Sequence, residues 1–191
     1  MTKVMIWGWL LISSTIGYGY FAHNDYEAYS YCMHNTSSFI AVVWPLAQGK
    51  DKKMESVLRS YGTMVYKKVF SLTYQQAYAL LQDAHPHIID MPAHVQMYFP
   101  EGVLNKPVRV YLLEFDSLET AVACKHAVRK LFKLGYTSIH INDYHHEAQA
   151  LAKFFFNGEP LRRSALRNTS VQSRRLSPVE WLLEGLYAMY D

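Results

Sequence analysis

Cysteine is scarce in this chain: Cys32 and Cys124 are the only two in 191 residues. That excludes a disulfide framework, and without a C-x-x-C pair there is no half-site for a structural zinc. The familiar catalytic signatures are missing as well. The sequence has no Walker loop, no dinucleotide-binding glycine fingerprint and no G-x-S-x-G elbow. His146-Glu147 starts like the zinc-protease helix, but Ala148, Gln149 and Ala150 follow where the second histidine would have to stand. A Gly-Ser turn with Asp-x-Asp, the mark of a nucleotidyl-transfer site, is also absent. Charge is thin. Only 18% of residues are Asp, Glu, Lys or Arg, with a net charge of +3. That balance does not by itself argue for nucleic acid.

What is present is apolar and aromatic. Half the residues are hydrophobic, and 15 are tyrosine. Such a chain buries a core without staples, and tyrosine suits half-buried contacts and interfaces. The length points to one domain, or one domain with an appendage.

The appendage is N-terminal. Residues 4–22, VMIWGWLLISSTIGYGYFA, carry no charge, with Lys3 before them and Asp25 and Glu27 after. Their length suits a bilayer crossing, although only VMIWGWLLI is strongly apolar. A signal peptide cut after Gly17 and a buried first element are the competing readings. The expected division is therefore an apolar segment at 1–23 and a single domain at 24–191. Membrane association is favoured slightly over a soluble or secreted protein. Asn35-Thr36-Ser37 and Asn168-Thr169-Ser170 fit the glycosylation pattern, which matters only in a secretory setting.

From residue 39 the pattern alternates. FIAVVW (39–44) is a short buried-strand run. DKKMESVLRSY has Met54, Val57, Leu58 and Tyr61 at helical spacing, with Gly62 as the stop. A strand over 63–72 follows, then a helix opened by the Thr73 and Gln76 capping box. The second half repeats the scheme. It has a strand at 108–115, a helix opened by Asp116 and Glu119 and closed by Gly135, a strand at 136–143 and a helix at 144–156. Ser177-Pro178 opens a C-terminal docking helix. This predicts an α/β (or α+β) fold with a single sheet built from two strand–helix–strand–helix units. Residues 85–106, with Pro86, Pro92 and Pro100, are long for a connection and either functional or hiding an element.

Candidate chemistry concentrates in SIHINDYHHEAQ, residues 138–149. Alternation along a strand turns Ile139 and Ile141 to one face and His140 to the other. His140 would then stand near a strand end, where open α/β sheets bind ligands. Asn142 or Asp143 would cap the next helix, and capping alone explains Asp143. The catalytic candidates are His140, Asp143 and Glu147. The metal candidates are His140, Asp143 and His145 around a divalent ion, completed by His85, His87 or His94 from the long connection. Arg162, Arg163, Arg174 and Arg175 form a stretch without an acid that would suit phosphate. Few aromatics interleave with it, so base stacking is not indicated and nucleic acid is not the favoured partner.

The reading preferred from sequence is a non-catalytic domain that binds a protein partner or joins an assembly. The alternatives are metal-assisted phosphoester or nucleotidyl-type chemistry centred on His140 and Asp143, and arginine-mediated nucleic-acid binding.

Overall fold

A computed structural model of the chain describes residues 22–85, 88–103 and 106–157. The elements in order are α1 (Asp25–His34), β1 (Ser38–Val43), α2 (Asp51–Tyr61), β2 (Thr63–Phe70), α3 (Tyr74–Ala84), α4 (Met91–Tyr98), β3 (Val108–Glu114), α5 (Leu118–Phe132), β4 (Ile139–Ile141) and α6 (His145–Phe156). The strands form one sheet in the order β2-β3-β1-β4, and every neighbouring pair is antiparallel. The mixed α/β architecture and the single sheet expected from the alternation are present. Strands joined through a helix are not neighbours, however. β1 and β2, linked by α2, run in the same direction with β3 between them, and β3 and β4, linked by α5, are separated by β1. Two split βαβ units therefore interlock, the ferredoxin-like arrangement.

The central strands are largely apolar because both their faces are covered, with Arg109 of β3 the buried charged exception. Phe39, Ala41 and Val43 of β1 join Tyr111 and Leu113 of β3 beneath α2 and α5, with Met54, Leu58, Ala121 and Val128. Ile40, Val42 and Trp44 join Val108, Val110 and Leu112 on the other face, under α1, α3, α4 and α6. Cys32 and Cys124 are free and lie in these opposite layers. Burial raises both thiols, Cys32 to about 11 and Cys124 to about 12, as expected of inert core cysteines.

Two helices lie outside the alternating scheme. α1 is capped by Asn24, whose side chain accepts the Glu27 N–H at 2.9 Å, while Glu27 accepts the His23 N–H at 2.8 Å. It buries only Ala28 and Cys32, so it writes no apolar stripe into the sequence. α4 occupies the long connection, capped by Asp90 with Pro92 in its first turn.

Several boundaries move for local reasons. The Thr73–Gln76 capping box is present. α5 is capped by Ser117, not Asp116: its side chain accepts the Thr120 N–H. The helix ends on Lys133 in the left-handed region, φ 59°, and not on Gly135. Gly135, φ 55°, instead opens a 3₁₀ turn over Gly135–Thr137, which shortens the expected strand at 136–143 to β4. Gly62 does end α2 as expected, by close approach. A Cβ there would meet the Glu114 carbonyl oxygen at 2.4 Å. No helix among the described residues is long and apolar enough to cross a membrane. The apolar segment, apart from Ala22, and the C-terminal docking helix lie outside the described residues.

Candidate functional site

Among the described residues β4 is an edge strand, and its three residues do what alternation dictates. Ile139 and Ile141 pack into the α2/α5 layer. His140, paired with Val42, turns to the opposite face and is half-buried. The turn after β4 is fixed by Asn142, which is 1% exposed. Its Oδ1 accepts the Ile40 N–H at 2.6 Å and its Nδ2 donates to the Tyr144 carbonyl at 3.0 Å.

That turn redirects Asp143. The expectation that Asn142 or Asp143 caps the following helix fails, because the N-cap of α6 is Tyr144 and no side chain caps it. Asn142 is occupied across the sheet, and the Asp143 carboxylate reaches α5, where Lys125 Nζ donates to it at 2.7 Å. The lysine side chain is 10% exposed and the aspartate 45%. Glu147 accepts the Asp143 N–H at 3.0 Å and so braces the helix start.

Three imidazoles meet beside β4. The His85 ring, at the end of α3, lies 6.0 Å from His140 and 5.1 Å from His94 of α4, both edge to face. The row continues from His94 to Tyr98 at 5.1 Å and from Tyr98 to Trp44 at 4.8 Å. The connection over 85–106 thus does bring histidines to the site. His87 lies outside the described residues.

The electrostatics are cationic. His140 is held down to about 3. Desolvation of the ring is the largest cause; Lys125 and then His85 add to it, Asp143 opposes them, and Arg129 depresses it further. Tyr98 is raised far above the usual phenol range by burial and by Tyr136, with Arg129 opposing. Lys125 and Arg129 sit one turn apart on α5, so both charges bear on the same imidazole. The result is an uncharged imidazole near neutral pH, beside His85 and in the field of Lys125 and Arg129, with Asp143 opposing them.

Among the described residues no group of three His, Cys, Asp or Glu side chains is placed to hold a metal ion. His140 and Asp143 share the site, but Asp143 is committed to Lys125. His145 begins α6, its Nδ1 buried and without a hydrogen bond among the described residues. Glu147 serves the backbone of Asp143. Arg162, Arg163, Arg174 and Arg175 lie outside the described residues. Sequence reasoning missed Lys125 and Arg129. The available signal was Lys125 itself, a charge set beside Cys124 on the buried stripe of α5.

No family model matches the chain, and no curated protein matches it. Among solved structures, one match is an orthorhombic C222 crystal form of the Aquifex aeolicus nucleoside diphosphate kinase. It is 18% identical, covers 66% of this chain and 99% of that one, and has a TM-score of 0.46. At that level of likeness it carries nothing across.

Proposed function

We propose that this domain takes a small phosphate-bearing anion at the β4 rim, with Lys125 and Arg129 drawing the anion and His140 acting on it as an uncharged base or nucleophile. The observation that supports this reading is the convergence itself. α3, α4, α5 and β4 each send a titratable side chain to this part of the sheet, and the neutral imidazole there feels Lys125 and Arg129 with Asp143, paired to Lys125, opposing them. A strongly perturbed group beside specific charge partners is a functional-site candidate. An imidazole held near 3 is a weak base while the site is empty. An anion beside it offsets Lys125 and Arg129, raises the imidazole toward its ordinary value and so strengthens it when a ligand is in place.

That coupling gives the test. Calorimetric titration of the protein with inorganic pyrophosphate near pH 6, in buffers of different ionisation enthalpy, should show proton uptake on binding, and His140→Asn should abolish the uptake. No binding at low salt would sink the reading.

A second reading, a non-catalytic domain that docks a protein partner, is supported by β2. Among the described residues this is an edge strand of eight residues, its Val65 carbonyl accepting the Ala22 N–H and Val69 on it 53% exposed. Long edge strands accept a partner strand through main-chain hydrogen bonds. A chain that stays monomeric by light scattering at high concentration, and captures no strand peptide, would count against it.

A further inference from the structure

Trp44 ends the same row of rings and carries an unexplained feature. It is 2% exposed, and among the described residues its Nε1–H has no hydrogen-bond partner. Buried indole N–H groups ordinarily find an acceptor, and one left without keeps its full desolvation penalty. A phenylalanine or leucine would fill apolar space at the end of β1 without that penalty.

The placement of Trp44 relates it to the site. It follows β1 directly, and its backbone N–H donates to the Ser138 carbonyl, which extends the β1–β4 ladder by one step. It shares a face with Val42, the residue paired with His140. Tyr98 touches both Trp44 and His94, and Phe99 covers the indole edge to face at 5.9 Å. Trp44 is therefore two residue pairs along the ladder from His140 and on the same face of the sheet, with Tyr98 and Phe99 at the end of α4 packed on its indole.

We propose that Trp44 is a ligand-binding residue of the β4-rim site, whose indole N–H donates to an anionic oxygen of the bound phosphate compound once the C-terminal turn of α4 moves outward. This rests on the anion-binding reading above and adds a donor to it. The penalty carried by the empty protein is recovered on binding. Neutral N–H donation complements the charges of Lys125 and Arg129, since the ligand's oxygens accept and offer no proton in return.

The experiment uses the full chain and inorganic pyrophosphate as the probe. Affinity is measured by calorimetry, and thermal stability is measured without the probe. Trp44→Phe keeps an aromatic ring and deletes the donor. Because it also loses ring volume, a benzothienylalanine at position 44, which preserves shape and lacks the N–H, is the second variant. Both should bind pyrophosphate about tenfold more weakly, the loss expected for a hydrogen bond to a charged acceptor. The isostere should melt at or above the temperature of the unmodified chain. In the unmodified chain the indole proton resonance that the isostere removes should move downfield as pyrophosphate is added. Unchanged affinity in the isostere, or an unmoved indole resonance in a chain that binds the probe, overturns the role of Trp44 and leaves the anion site standing. No binding by the unmodified chain overturns both.

Discussion

Replacing His140 by Asn removes the one group whose protonation the fold most opposes, and the effect on stability has a calculable sign. In the unfolded chain an ordinary histidine titrates near 6.5; in the folded protein His140 is held to about 3. Below 6.5 the unfolded state therefore binds a proton that the folded state refuses, so stability is complete above about pH 6.5 and declines as pH falls toward 3. Each unit in that window is worth about 1.4 kcal/mol. By about pH 5 the loss approaches 2 kcal/mol, and the residual solvent contact of the residue trims it to about 1–2 kcal/mol. Urea unfolding of the unmodified chain and of His140→Asn at about pH 7.5 and pH 5 measures it. The remaining carboxylates and histidines titrate in both proteins, so the difference between the two pH slopes isolates position 140. The unmodified chain should lose about 1–2 kcal/mol more than the variant between the two conditions. Parallel slopes would refute the account of the site as a desolvated imidazole among cations.

Lys125→Met should raise the pKa of His140, because Lys125 is the largest charge contribution holding it down; a ring-proton NMR titration reads this, and an unmoved pKa would place the lysine out of range. Gly62→Ala should destabilise the chain by about 1–3 kcal/mol, since the added methyl meets the Glu114 backbone, and denaturant midpoints check it. Thr73→Ala, which breaks the capping box of α3, should cost about 1 kcal/mol. Asp143→Ala removes no helix cap but leaves the ammonium of Lys125, whose side chain is 10% exposed, without its carboxylate; it should cost more than Thr73→Ala, and the reverse order in melting experiments would show that the pair contributes little.

The fold was legible wherever burial wrote a period into the chain. β1 and β3 read as apolar runs because they are central, and α2, α3, α5 and α6 read as stripes because each lies on the sheet by one face. α1 escaped because it buries two small residues and leaves Tyr26 78% exposed, so that no stripe exists to be read. Strand adjacency was not legible. The alternation of strands and helices is the same whether a unit's two strands touch or another strand lies between them. At the site, the facing of His140 followed from alternation alone. The fate of Asp143 did not, because Lys125 comes from a helix 18 residues earlier in the chain. Capping, a local rule, lost to an ion pair that only the tertiary structure brings together.

The interlocked sheet has a consequence for how the chain can be divided. α2 joins two strands that do not touch, and so does α5; every hydrogen-bonded strand pair apart from β2–β3 needs β1, and β2–β3 itself spans the long connection. Among the described residues neither half has a sheet of its own. A ribosome that has released only the first half has made two parallel strands with an empty slot between them, and the slot is filled by β3, the first strand of the second half. Cut within the connection, the fragments should be separately unstructured and fold on mixing, at a rate set by their concentration. Along this chain the smallest unit able to fold by itself is nearly the whole sheet.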